Sequence, residues 1–269
     1  MDIKIVSTEG TPLSPYIFGH NLEHTRSAVG GGLSAQILKN RKFAGKPSNN
    51  RGVAAEWKGF GEHAFFELLP DVHYTRHIGC EKMRRHNELQ SQRVQNMKPG
   101  DCGLMQQDLS VLSGRTYELR VVTQCSRDLS LKVELTDRTG SVVYAGEELT
   151  LSAGDWEITE FTLTPDTDDP EAVLVLRFSE QAMVTFGAVS MLPANHFHGM
   201  RSDVVRLLKE IGPSVLRWPG GNFAGEYRWK DGLMPPDLRG PLQAYSEIET
   251  QPHSVGLLRI NQNTGTNDL

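Results

Sequence analysis

The run Val215-Leu216-Arg217-Trp218-Pro219-Gly220-Gly221-Asn222-Phe223 limits what this chain can fold into more than any other stretch. Val215 to Trp218 is short and largely apolar, with a single arginine, the pattern of a parallel strand covered on both faces with Arg217 buried in it. Pro219 has no amide donor and ends such a ladder. Gly220 and Gly221 permit backbone shapes, and a close ligand approach, that a side chain would block. Upstream, Val204, Leu207, Leu208 and Ile211 recur at helical spacing. Ser202 is placed to N-cap them, Asp203 falls in the first turn, and Gly212-Pro213 stops the helix. Helix, tight turn, apolar strand and glycine loop make one step of an alternating α/β fold. In barrels of that kind the active site lies at the carboxyl ends of the strands, where Pro219 to Gly221 fall. Trp218, Asn222, Tyr227 and Trp229 crowd amide and aromatic groups there, a set suited to a polar, ring-shaped ligand such as a sugar. The plainer alternative is a turn that only closes a βα connection.

A second stretch has the same design. Tyr16-Ile17-Phe18-Gly19-His20-Asn21-Leu22-Glu23-His24 is an apolar strand that opens into polar and ionisable residues at its end. A carboxylate at Glu23 can accept from two hydroxyls at once; an exposed loop carboxylate is the alternative. His20 and His24 are four apart, but on a strand end that spacing does not converge on a metal, and no metal site is expected. Gly30-Gly31-Gly32 is not followed by Lys-Ser/Thr, so it is no phosphate loop. Leu33 to Asn40 reads as a short helix with Leu33, Ile37 and Leu38 on one face.

From residue 46 the character changes. Pro47-Ser48-Asn49-Asn50-Arg51-Gly52 reads as an exposed loop. Short β-rich runs then recur at Leu104–Val111, Tyr117–Thr123, Leu129–Leu135, Val142–Tyr144, Glu157–Leu163, Val173–Phe178 and Val184–Val189. Many short strands at intervals of roughly 8 to 12 residues predict an antiparallel sandwich. Leu129, Leu131, Val133 and Leu135 alternate with Ser130, Lys132 and Glu134, so one face is buried and one is wet. Without a stripe of exposed aromatics the sandwich reads as a packing module, with glycan binding as the alternative. His196 and His198, two apart in a loop, read as structural or solvated. Pro235, Pro236 and Pro241 mark a stiff surface loop.

Composition narrows the partners. Lys+Arg total 28 and Asp+Glu 33, a net charge of -5, which argues against a nucleic-acid or anionic-membrane surface. No run approaches the roughly 18 to 20 apolar residues that span a bilayer. Met1 to Val6 alternates like a strand and lacks the features of a signal peptide. Cys80, Cys102 and Cys125 form no CxxC pair, which fits free thiols in a reducing compartment. Together these give a cytoplasmic expectation.

Leu216 to Phe223, with Tyr227, Trp229-Lys230-Asp231-Gly232 and Glu249-Thr250, resembles the glycoside hydrolases of family 51, the α-L-arabinofuranosidases. Phe18 to His24 is similar to that family's N-terminal Glu-His signature. The two motifs occur in the family's order and cover about residues 12 to 45 and 192 to 250. The resemblance implies a partial (β/α)₈ TIM barrel, first strands only, with an inserted antiparallel β-sandwich of jelly-roll type. Residues 1–45 would hold the N-terminal strand and first barrel strand and helix, 46–190 the carbohydrate-binding-like sandwich, and 191–269 the next α/β units. It implies retaining release of terminal arabinofuranosyl groups from arabinose-containing glycans, with no cofactor. Glu23, Asn222, Trp218, Gly221 and Tyr245 would bind the sugar, supported by Arg217, His24 and Gly220. Retention needs two carboxyl groups about 5 to 5.5 Å apart. The family draws them from later barrel strands, the acid/base following an asparagine. Asn87-Glu88 lies before the sandwich and is not that strand end. The implied acid/base and nucleophile glutamates therefore fall beyond Leu269, no catalytic residue is assigned here, and an incomplete barrel with unpaired edges and an exposed apolar face is expected. A homo-oligomer, or a complementing C-terminal chain, are the implied protein partners. A non-catalytic glycan-binding fragment, or a same-fold endoglucanase or xylosidase, are the alternatives.

Overall fold

In the computed structural model the chain is described at residues 10, 12–23, 28–44, 47, 51–70, 90–220, 233, 235 and 237. Most of these build two antiparallel sheets of five strands. The strands are β2 (Lys58–Phe60), β3 (Ala64–Pro70), β4 (Gln90–Asn96), β5 (Cys102–Val111), β6 (Tyr117–Cys125), β7 (Leu129–Thr136), β8 (Val143–Leu151), β9 (Glu157–Leu163), β10 (Asp169–Phe178) and β11 (Met183–Pro193). One sheet runs β2-β5-β10-β7-β8 and the other β3-β4-β11-β6-β9. The expected alternation holds on β7, where Leu129, Leu131, Val133 and Leu135 are buried and Lys132 is exposed. Central β10 and β11 read differently: their apolar runs Ala172–Leu176 and Val184–Val189 are buried throughout. One core joins the sheets, with Leu104, Leu119, Leu131, Leu176 and Phe186 all within it. Each such side chain contributes about 1.5–3 kcal/mol by leaving water.

The predicted run Val142–Tyr144 is a nine-residue strand, β8. Strands β2, β3 and β4 carry no alternation that a sequence reading could use. In β4 the buried side chains include Gln92 and Asn96, which a polar pattern assigns to solvent. They are tolerated because they are bonded. Gln92 Oε1 accepts from the Ala54 amide at 2.8 Å, and Asn96 Nδ2 donates to the Gly100 carbonyl at 2.8 Å.

Leu33 to Asn40 is not a helix. A π-helical turn, Ala28–Leu33, is followed by an irregular segment that lies along the sandwich. Its amides bond to the sandwich rather than to one another: Ile37 N–H donates to the Met191 carbonyl, and Lys39 N–H to Gln106 Oε1 at 2.7 Å. Leu38 and Phe43 enter the sandwich core beside Trp57, whose indole N–H donates to the Asn40 carbonyl at 3.0 Å. Tertiary partners here outweigh a weak helical preference.

The α/β part is smaller. β1 (Gly19–Asn21) pairs in parallel with β12 (Val215–Arg217), in register Gly19 to Val215 and Asn21 to Arg217. The helix α1 (Ser202–Ile211) precedes β12 and ends at Gly212, whose φ of 57° is the left-handed cap conformation that glycine adopts without strain. Its N-cap is Arg201 rather than Ser202, and no side chain caps it. Val205 is buried, in a cluster with Val29, Leu33 and Met200, and Val204 and Leu208 pack against that cluster. Leu207 and Ile211, expected on the buried face, are exposed. The strand expected to be covered on both faces is also open: Val215 is 41% exposed and the Arg217 side chain 64%. With Tyr16, Ile17 and Phe18 exposed as well, this parallel pair presents apolar surface to solvent.

Candidate functional site

The two parallel strands bring together side chains almost 200 residues apart in sequence. Asn21 and Arg217 are register partners at the carboxyl end of the pair. The Leu22 amide donates to the Arg217 carbonyl at 2.9 Å, so the pairing runs one step further and delivers Glu23 to the strand end. There Asn21 Nδ2 donates to Glu23 Oε1 at 2.6 Å. Arg217 Nη1 stands 3.8 Å from the same oxygen, a charge contact rather than a hydrogen bond. Asn21 and Glu23 are two apart, the strand period that puts them on one side.

The β12 side closes over this carboxylate. Pro219 follows a cis peptide bond from Trp218, and Gly220 has a φ of 88°. Gly220 lies against Glu23 so tightly that an added Cβ would sit 2.1 Å from Glu23 Cγ. Only glycine serves at this position. Trp218 packs on the Val29, Leu33, Met200 and Val205 cluster, as Leu22 does, so both strand ends rest on a common apolar base.

Of the residues expected at the site, Glu23, Arg217, Trp218 and Gly220 converge here. Arg217 reaches Glu23 from an exposed position, not from a buried one. His24, Gly221, Asn222 and Tyr245 lie outside the described residues. Asn21 was missed as a site residue, although its distance of two from Glu23 was the available signal. Among the described residues no three His, Cys, Asp or Glu side chains group as metal ligands do. His196 has a structural place: its Nδ1 accepts from the Gly199 amide at 2.9 Å, leaving Nε2 to donate toward Glu118 at 3.2 Å. Asp237, in the segment expected to be a surface loop, is buried and ion-paired with Arg41 at 2.6 Å and Arg120 at 2.7 Å.

The described fold is an antiparallel two-sheet sandwich set into a parallel β/α unit, with a carboxylate, an amide and a guanidinium at the carboxyl ends of its strands. No protein-family model matches the chain. Among curated proteins, α-L-arabinofuranosidase 1 of Arabidopsis thaliana is 27% identical over 246 residues, covering 84% of this chain and 35% of its own length. α-L-arabinofuranosidase 2 of the same plant is 26% identical over 236 residues, 82% of this chain and 34% of its own. An exo-α-(1→6)-L-arabinofuranosidase of Bifidobacterium longum is 39% identical over 74 residues, 26% of this chain and 14% of its own. The chain thus spans about a third of the length of the Arabidopsis relatives. Among solved structures, an arabinose-bound family 51 α-L-arabinofuranosidase superposes with a TM-score of 0.73 and 21% identity, over 92% of this chain and 42% of its own. Sequence and fold together support the correspondence that the motifs announced, to the N-terminal region of the family 51 α-L-arabinofuranosidases.

Proposed function

We propose that this chain is the sugar-holding N-terminal part of an α-L-arabinofuranosidase, which releases terminal α-L-arabinofuranosyl residues from arabinose-containing polysaccharides and oligosaccharides with retention. The observation that carries the reading is the Asn21–Glu23–Arg217 group at the carboxyl ends of the parallel strands, packed against Gly220. A carboxylate oriented by an amide and facing a guanidinium accepts hydrogen bonds from sugar hydroxyls, while the amide and guanidinium offer donors to ring and hydroxyl oxygens. Glu23 is given a binding role, not proton transfer. Retention needs an acid/base and a nucleophile carboxyl group, and the reading assigns neither role to a described residue. Names of the relatives, and the arabinose in the similar structure, support arabinose as the ligand class.

Titration of L-arabinose into the chain, followed by amide chemical shifts, tests this. Shifts are expected at Gly19 to Asn21 and at Leu216 and Arg217, with Glu23→Gln weakening binding about tenfold or more, the loss of a charge-assisted hydrogen bond. Arabinose binding that is unchanged in Glu23→Gln would remove the carboxylate from the site.

A second reading has its own observation. Among the described residues the sandwich has two five-stranded sheets, against a single parallel strand pair outside it. A non-catalytic glycan-binding protein, working through the sandwich, would bind insoluble arabinoxylan equally well with Glu23→Gln.

A further inference from the structure

A cleft of about 580 Å³ opens where the sandwich meets the α/β part, with no residue of the Glu23 site in its lining. One wall comes from the sandwich: Ser110 at the end of β5, Arg115 in the β5–β6 turn, and Pro193 and Asn195 at the end of β11. The other comes from the segment after the π-helical turn, Gln36 and Ile37, and from the start of α1, Arg201 to Asp203. Its size falls in the range of small-ligand sites, with room for about one or two sugar rings.

The polar groups around it divide in two. Arg201 is ion-paired, its Nε and Nη2 both donating to Asp203, at 3.2 and 2.6 Å. Gln36 Oε1 is spent on the amides of Leu38 and Met191, at 3.1 and 3.0 Å, which fixes that side chain. Arg115 is held in place by one bond, Nη2 to Asn195 Oδ1 at 3.2 Å. What is left over is mostly donors. Among the described residues no protein group bonds Gln36 Nε2, Asn195 Nδ2, Arg115 Nε or Nη1, or the hydroxyls of Ser110 and Ser202, and Arg115 has no carboxylate partner. With Arg201 neutralised by Asp203, the lining carries one net positive charge. Ile37 and Pro193 add apolar contact beside the donors.

We infer that this junction cleft is a saccharide site for a carboxylate-bearing sugar, a uronic acid, with the Arg115 guanidinium on the carboxylate and the two amides and two serines on ring hydroxyls. One unpaired guanidinium suits one carboxylate and is too little for a polyanion, while the remaining neutral groups match hydroxyls rather than further charge. The choice of a sugar over another hydroxylated acid rests on the proposed glycosidase reading.

The probe is D-glucuronate, titrated into the full chain with amide chemical shifts as the readout, beside acetate and methyl β-xyloside as separate titrants. The site predicts saturable shifts at Ser110, Asn195 and Ser202 with glucuronate, weaker ones with the neutral xyloside, and weaker still with acetate. Arg115→Ala weakens glucuronate binding about tenfold or more, and Arg115→Lys does not restore it, because the planar fork is lost. Glu23→Gln leaves it unchanged. Arg115 is partly exposed, so these variants remove no core packing. Acetate binding as well as glucuronate, or glucuronate binding unaffected by Arg115→Ala, overturns the inference. Silence at the junction while arabinose still moves Gly19 to Asn21 sinks this inference alone. Silence at both sites sinks the glycosidase reading with it.

Discussion

At the scale of single residues, the site depends on a glycine and a carboxylate that exclude anything larger between them. Gly220 has both a left-handed φ and a Cβ position 2.1 Å from Glu23 Cγ. Gly220→Ala therefore has to displace Glu23 as well as strain the backbone. It is expected to cost about 1–3 kcal/mol in folding stability, measured by urea unfolding, and to abolish arabinose shifts at Gly19 to Asn21. An alanine variant with wild-type stability and binding would mean that the contact is not formed. Cys102 and Cys125 make a contrasting pair of residues. Burial pushes both thiols up to about 12, with Asp101 and Glu180 adding at Cys102 and Glu157 at Cys125. Thiolate is then scarce at pH 8, and iodoacetamide should alkylate neither in the folded protein and both in urea, as read by peptide mass spectrometry. Rapid alkylation of either in the native state would contradict the burial.

At the scale of elements, Asp237 ties three of them together. It joins Arg41, in the segment after the π-helical turn, to Arg120 on β6, and lies beyond β12 in the chain. Burial alone would raise its pKa, but the Arg41 and Arg120 guanidiniums hold it below the ordinary carboxylate value. A depressed folded pKa means that the contribution is present above the unfolded value of about 4 and is lost as pH falls through the folded one. Asp237→Asn leaves Arg41 buried without its counter-charge. It should cost about 3–5 kcal/mol at pH 7 in urea unfolding, and it should remove part of the wild type's loss of stability below about pH 4. A cost under about 1 kcal/mol would show that the pair is not formed. This contact was not legible in the sequence, where Asp237 stands among prolines that signal a surface loop. Strands β5, β7 and β9 were legible because their apolar residues alternate or are bounded by clear turns. β4 was not, because its buried Gln92 and Asn96 look like solvent-facing residues until their partners are known. The segment at 33–40 misled for a related reason: apolar Leu33, Ile37 and Leu38 recur at helical spacing, but the Ile37 amide bonds to the sandwich, the Leu33 carbonyl to the Arg201 amide before α1, and the Leu38 amide to the Gln36 side chain.

At the scale of the whole molecule, the sandwich is an insertion. It enters after β1 and leaves before α1, and the chain returns to lay β12 parallel to β1, its partner nearly 200 residues earlier. Parallel strands need a crossover, and here the crossover includes a complete sandwich and a helix. The Pro219-Gly220 turn and the Glu23 strand end were readable as separate signals; that they face each other follows only from this pairing. Ile17, Phe18, Leu207, Ile211 and Val215 leave apolar surface open on this α/β part. The measurement closest to the central claim is a crystal structure of the chain grown with L-arabinose. The account predicts one furanose ring at the carboxyl ends of β1 and β12, with hydroxyl oxygens within hydrogen-bond distance of Glu23 and Asn21. Arabinose seated only on the sandwich faces, with the Glu23 site left to solvent, would contradict it.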